Sequence, residues 1–516
     1  MTEVSSSWMG KHAYRRRLVL WSILTSCVLA GISLIAPILT HAETADDLGA
    51  MESTGQHHTP LDAYMEDVYG FEVAHVQEGE GWTYYVLDLV SQTWRSPDEV
   101  DRTVWRHWLS VIVPDEISHD TAMLMIGGGS NERGYNENPN SDRLQAALFT
   151  QSVVADLGQV PNQPLVFSEL GRPTYEDDLI AFTWDKYLRT GDANWLARLP
   201  MTKSVVRAMD ALQEFCAALE DNPVDLESFM IFGGSKRGWT TWSTAAVDDR
   251  VHAISPVVIN LLNMIPSFQH HWEAYGFWAP AVKDYVHHNI MEWMGSPEFD
   301  RMLEIVEPYH YRDRFTMPKY LVYATGDQFF LPDSTQFYWD DLPGPKHLRY
   351  VPNADHGLSG TYASTEIMVF YAAILQGIPL PELEWELPSA DTIIVESPVE
   401  PSEVLLWKAT NPKTRDFRLD TTGPIWESSP LEAVEGNRYE VTVEAPEEGW
   451  TAYLVELSYD LPGIPFPFKQ TTPVQVVPDA MPYTFEPPEK PLGGFLSLDV
   501  ESEESPDEEE EVEDEA

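Results

Sequence analysis

Ahead of residue 385, short apolar runs alternate with longer helical patterns. Ala122 to Ile126, Ser228 to Phe232, Val251 to Ile259, Lys319 to Ala324 and His347 to Val351 read as buried strands. Thr174 to Tyr187, Met201 to Leu219, Trp239 to Val247 and Glu366 to Leu375 read as helices. Alternation of this kind predicts an α/β fold, a mostly parallel sheet covered by helices on both faces. Beyond residue 385 the pattern changes to short alternating runs separated by turn signals: Val404 to Ala409, Asp416 to Leu419, Arg438 to Glu444, Ala452 to Ser458 and Val474 to Val477. That spacing predicts a small antiparallel β-sandwich over 385–478.

Both ends of the chain depart from these patterns. Met1 to Ala42 reads as an export signal, with Lys11 and Arg15 to Arg17 before an uncharged apolar run from Leu18 to Leu39, then Thr40-His41-Ala42 as the cleavage region. The expected destination is the periplasm or the medium. The run is also long enough to span a bilayer, so an uncleaved membrane anchor is the runner-up. Leu24 to Cys27 resembles a bacterial lipidation site, but apolar sequence continues past Cys27. At the other end, 479–516 is Pro-rich and then acidic, with eleven acids and no base from Glu501 to Ala516. A like-charge block stays extended, so this stretch is expected to be a disordered, solubilising tail.

Composition narrows the function classes. Of 516 residues 43% are hydrophobic and 12% aromatic, enough to bury a large core. The formal charge of −51 repels phosphate backbones, which argues against a nucleic-acid partner. Two cysteines allow no disulfide framework and no cysteine-based zinc module. Neither a metal nor a cofactor is called for, because His270-His271 and His287-His288 lack the carboxylate or cysteine spacing that completes a site. The expected partner is a small-molecule or peptide substrate.

The sharpest chemical signal is Gly233-Gly234-Ser235-Lys236-Arg237-Gly238, between an apolar strand and a helix. A serine on a tight strand-to-helix turn has its hydroxyl lifted out of the sheet, above a helix N-terminus that favours developing negative charge. The usual elbow is G-x-S-x-G; here Arg237 stands at the second glycine position and the glycine follows at Gly238. A serine also needs an imidazole as base and a carboxylate to orient it, in the order serine, acid, histidine. Asp327 follows the strand at Lys319 and His356 follows the run at His347, which supplies both in that order. Asp333 is the rival acid. Asp355, next to His356, is expected only to shape its loop.

Gly127-Gly128-Gly129 follows an early strand, and the amides of Gly128 and Gly129 are expected to meet that of Lys236 around an oxyanion. A phosphate cradle is the weaker reading, since no GK[ST] follows. Between two sheet strands, 261–318 is dense in aromatics and reads as a helical cap; Arg237, Trp239, Trp272 and Trp278 are the candidate substrate contacts. Glu176-Asp177-Asp178 opens a helix, where the helix dipole accounts for the acids; a substrate amine is the other use for them. Cys216, on an Ala- and Leu-rich helix pattern, is expected to be a buried inert thiol.

Several runs carry a resemblance: Thr59 to Tyr64, Pro161 to Leu165, Leu199 to Asp210, Gly234 to Trp242, Ala324 to Ser334 and Val351 to His356. Through them the chain, from Thr59 to about Pro478, resembles the PhoPQ-activated pathogenicity-related family. The resemblance implies an α/β-hydrolase relative, with Ser235, Asp327 and His356 inside shared motifs, and by its name an association with virulence and envelope stress; it supplies no substrate. The expectation is therefore a signal peptide (1–42), an α/β-hydrolase domain (43–384) with an aromatic cap (261–318), a C-terminal sandwich and a tail. The function expected is an exported serine hydrolase of the esterase or peptidase type. The alternative is a non-catalytic signalling or binding protein on a hydrolase scaffold.

Overall fold

The computed structural model describes residues 59–65, 69–491 and 493–496, all within one compact unit. The expected export signal and the acidic run from Glu501 lie outside the described residues. No helix among the described residues is long and apolar enough to cross a membrane.

A short helix α1 (Pro60–Tyr64) precedes a meander of β1 (Gly70–Gly79), β2 (Trp82–Thr93) and β3 (Val104–Pro114), which the strand patterns above had not revealed. The chain continues through β4 (Thr121–Ile126), α2 (Ser141–Thr150), β5 (Val154–Leu157) and a small ribbon of β6 (Leu165–Val166) and β7 (Pro173–Thr174). Next come α3 (Glu176–Thr190), α4 (Arg198–Ala217), β8 (Ser228–Gly234), α5 (Lys236–Val247) and β9 (Val251–Val257). After the cap, formed by α6 (Met264–Tyr275), α7 (Lys283–His287) and α8 (Pro297–Val306), follow β10 (Lys319–Ala324), β11 (Lys346–Val351) and α9 (Ala363–Leu375).

Nine strands form the main sheet in the order β1-β2-β3-β5-β4-β8-β9-β10-β11. From β5 onward neighbouring strands are parallel, while β1, β2 and β3 are antiparallel to their neighbours. This is the strand order of an α/β-hydrolase, with the reversal between β5 and β4. Helices α4 and α5 cover one face, and α2 and α9 the other. Parallel strands buried on both sides must be apolar along their length, which is why β10 is buried at every residue.

The C-terminal part holds β12 (Glu384–Ser389), β13 (Thr392–Glu396), β14 (Glu403–Asn411), α10 (Leu419–Thr422), β15 (Glu427–Pro430), β16 (Arg438–Thr442), β17 (Trp450–Tyr459), β18 (Phe468–Thr471) and β19 (Gln475–Val477). They make two antiparallel sheets, β12-β13-β16 and β15-β14-β17-β18 with β19 also on β17. Asp416 to Leu419, expected as a strand, is instead a buried loop over 416–418 running into α10: the Asp416 carboxylate accepts from the Arg418 backbone N–H and guanidinium, which takes that N–H out of any ladder. The inner faces share one apolar core with α9 and the main sheet. Arg349 of β11 joins the layers, bonding Glu366 of α9 at 2.9 Å and Glu456 of β17 at 2.6 Å, all three buried.

Residues 479–491 and 493–496, expected as disordered, form an ordered strap across the cap. The Trp450 indole donates to the Ala480 carbonyl, and the Tyr483 N–H donates to the Glu273 carbonyl at the end of α6. Phe485 packs against Trp278, Phe495 against Tyr187, and Lys490 bonds both carboxylate oxygens of Glu298 at 2.7 Å. Proline-rich composition forbids helix but not attachment, and these side chains supply the attachment.

Two measurements follow from these contacts. Glu298 is fully buried, so Lys490→Ala leaves a buried carboxylate without that cation and should lower stability by about 2 kcal/mol in chemical denaturation. Adding Glu298→Gln should recover most of the loss. Glu307, which accepts from the Met264 N–H opening α6, has its pKa pushed up by burial to about 7, with His310 3.6 Å away. The folded acid keeps its proton to higher pH than the unfolded one, so stability falls as pH rises from about 4.5 to about 7. Glu307→Gln should therefore gain about 3 kcal/mol on the wild type between pH 4 and pH 8.

Candidate active site

Three loops meet the carboxyl edge of the parallel strands. Ser235 follows β8, Asp327 follows β10 and His356 follows β11. Ser235 has φ 59° and ψ −124°, a conformation L-residues rarely adopt, held by its N–H bond to the Val257 carbonyl at 2.8 Å. Its side chain makes no capping bond to α5, so the hydroxyl is not committed to the helix.

The glycines around it have separate reasons. A Cβ on Gly233 would come within 2.8 Å of the Arg237 carbonyl and 2.9 Å of the Arg237 Cβ; one on Gly238 would come within 2.8 Å of Ile259 and 3.0 Å of two backbone oxygens. Gly233 thus clears the space that the Arg237 backbone and Cβ occupy. Gly234 has only Val258 nearby, at 3.8 Å.

His356 Nδ1 lies 2.9 and 2.8 Å from the two Asp327 oxygens, and Asp327 also accepts from the Phe329 and Phe330 amides. His356 Nε2 is buried without a hydrogen-bond partner. Phe329 and Phe330 flank the His356 ring and also line a cavity with Ser235. Asp333, the rival acid, is elsewhere: buried between Arg415 at 2.5 Å and His270 at 3.0 Å, which hold its carboxyl far below the usual range despite burial. Asp355 accepts from the Gly357 N–H and so shapes its own turn.

The cavity beside Ser235 is narrow, with room for about 40 Å³, and mostly apolar. Trp239, Phe268, Met291 and Phe299 are among its walls, while Lys236, Asp177 and Arg198 form a polar end. Of the expected substrate contacts, Trp239 lines it. Trp272 and Trp278 do not: they pack on each other at 5.1 Å, and Trp278 also meets the strap. Arg237 is held away by structural bonds, donating to the Val160 carbonyl at 2.6 Å and to Glu176 at 2.7 Å. Its guanidinium lies on Gly128, where a Cβ would stand 2.5 Å from it. The Gly128 carbonyl accepts from the Gln159 N–H, and neither Gly128 nor Gly129 lines the cavity, whereas Lys236 does.

Glu176 and Asp177 turn out to belong to this site. Lys236 Nζ sits 3.0 Å from Glu176 and 3.2 Å from Asp177, and Tyr285 of α7 donates to Asp177 at 3.1 Å. Burial works to raise the Glu176 pKa, but Lys236 and Arg237 outweigh it and hold the carboxyl down to about 2. Arg198 donates to the Lys236 carbonyl from α4. Nothing in its local sequence marked Arg198, since one cation opening a helix has no periodic or spacing signature. His271 accepts from the Ala279 N–H, His288 pairs with Asp178, and no group of three metal-ligating side chains occurs among the described residues. Cys216 is buried, and burial pushes its thiol up to about 12.

Residues 61–418 match the family described as PhoPQ-activated pathogenicity-related protein. The chain belongs to that family. A relative is autocrine proliferation repressor protein A of Dictyostelium discoideum, 37% identical over 456 residues, which span 82% of this chain and 92% of the relative. Among solved structures, similarity extends to an acetyl xylan esterase from Paenibacillus sp. R4 (14% identity, 63% of this chain, 96% of that one, TM-score 0.43). It also extends to the acylaminoacyl peptidase of Pyrococcus horikoshii (13% identity, 60% and 57%, TM-score 0.35). For this family member the α/β-hydrolase assignment rests on strand order.

The two glycines before the serine should behave differently. Gly233→Ala should cost about 2 kcal/mol of stability by overpacking fixed backbone, while Gly234→Ala should stay within about 0.5 kcal/mol. Thermal or denaturant unfolding of the two purified variants reads the contrast.

Proposed function

We propose that this chain is an exported serine hydrolase acting on a small ester or amide, short peptides included, with Ser235 as nucleophile, His356 as base and Asp327 as its orienting acid. The observation that carries the reading is the pairing of His356 Nδ1 with both Asp327 oxygens while Nε2 stays buried and unpartnered. An imidazole fixed in that tautomer has an acceptor nitrogen available for a serine proton. The strained turn at Ser235 on the same sheet edge, beside a mostly apolar cavity, supports it further.

In the reaction, His356 takes the Ser235 hydroxyl proton as Oγ bonds to the substrate carbonyl carbon. The carbonyl oxygen becomes an oxyanion facing the Lys236 amide at the N-terminus of α5, where helical N–H groups lack intrahelical partners. The leaving alcohol or amine departs with the proton from His356. Water then attacks the acyl-serine, giving up a proton to the same imidazole, and Ser235 is regenerated as the acid leaves.

The test is labelling of the purified mature protein with a fluorophosphonate, read by intact mass. One adduct is expected on the wild type, none on Ser235→Ala, and a rate lowered about 10⁴-fold in Asp327→Asn. Asp333→Asn should lose stability yet keep labelling. Folded wild-type protein that takes no adduct would leave the scaffold as a non-catalytic signalling protein.

A further inference from the structure

The residue after the nucleophile usually matters through its backbone; here the side chains at 236 and 237 are also engaged, and by the same partner. Glu176 Oε2 lies 3.0 Å from Lys236 Nζ, and Glu176 Oε1 accepts from Arg237 at 2.7 Å. Gln163 holds Glu176 from the other side, donating to Oε1 at 2.6 Å and accepting from the Glu176 N–H at 2.7 Å. The same Gln163 accepts the Asn131 N–H on its backbone carbonyl, and Asn131 closes the glycine loop that begins at Gly127. Arg237 reaches that loop too, lying on Gly128 and bonding Val160, whose own N–H donates to the Gly127 carbonyl.

Glu176 adopts φ 51°, an uncommon conformation for a non-glycine residue, and one that a helix-opening acid does not need for the dipole alone. From the start of α3 its carboxylate reaches the start of α5. We propose that Glu176 is a positioning residue that braces the nucleophile turn against the glycine loop through Lys236 and Arg237, fixing the Lys236 amide beside Ser235. The inference rests on the reading of Ser235 as nucleophile. It explains how the turn keeps its shape without a glycine at 237: a charged brace replaces the close backbone contact that a second small residue would allow. It also assigns Glu176 a use other than a substrate amine, because both of its oxygens already carry cations of the chain.

The experiment uses the full mature chain with p-nitrophenyl acetate, alanine p-nitroanilide and a fluorophosphonate as probes. Wild type, E176Q, E176D, R237M and E176Q/R237M are compared after circular dichroism confirms folding. E176Q should lower kcat and the labelling rate about 30- to 100-fold, with KM for the acetate within about threefold, since a small misplacement costs on that scale. E176D, which keeps the charge, should recover about tenfold even if E176Q folds poorly. R237M should fall comparably, and the double variant should be no worse than the worse single one, as for groups acting as one unit. Wild-type kcat in E176Q would overturn the proposal. So would a rise confined to KM for the alanine anilide, which would make Glu176 an amine-binding group. A wild type that neither labels nor turns over would remove the hydrolase reading and this inference with it; a reactive wild type matched by E176Q removes this inference alone.

Discussion

The reversal of the backbone at Ser235 is the constraint to which the rest of the site is fitted. A non-glycine residue at φ 59° persists only if its neighbours over-determine it. The β8–β9 ladder holds one side through the Ser235 N–H, and α5 holds the other. Gly233 and Gly238 make room where a side chain would strike backbone, and Arg237 extends away from the turn rather than into it. Once the serine is set there, the parallel topology brings the loops after β10 and β11 to the same edge, and with them Asp327 and His356.

A second constraint concerns charge. The chain carries −51, yet its interior holds cations as well as acids, and several of the buried ones occur in close pairs. Arg349 with Glu366 and Glu456 spans three layers, and Asp333 is held between Arg415 and His270. Unpaired, any of these would be costly to bury, so each pair dictates which segments must lie together. This pairing, with the apolar core that the C-terminal sheets share with α9 and the main sheet, ties those sheets to the hydrolase core. It is also why Asp333, though it stands in the same loop as Asp327, has no freedom to serve His356.

Much of this was legible in the chain. Apolar runs marked most of the parallel strands, and the order serine, acid, histidine follows from topology once those strands are placed. In the meander, β1 escaped because it is largely exposed, so no continuous apolar run announces it, while β2 and β3 are more buried but their apolar residues are interrupted by Asp88, Arg106 and His107. The glycine loop was marked by its composition, but not that Arg237 would cover Gly128, a contact between residues far apart in sequence, nor that Gly128 and Gly129 would stand outside the cavity lining. Tryptophans at 272 and 278 read as substrate contacts because aromatic density does not distinguish a cavity wall from the outer packing of a cap. The strap was invisible for a related reason. Tyr483, Phe485, Lys490 and Phe495 are spaced irregularly, and what makes them a structural element is the set of sites they reach on α3, α6 and α8.

That strap lies at the carboxyl end of the described chain, while the cap it crosses is built more than a hundred residues earlier. A chain made from its amino end therefore completes the sheet, the serine turn and the cap before the segment that fastens the cap has emerged. A polypeptide interrupted before Pro478 would keep the loops that carry Ser235, Asp327 and His356 but lack the segment that fastens the cap.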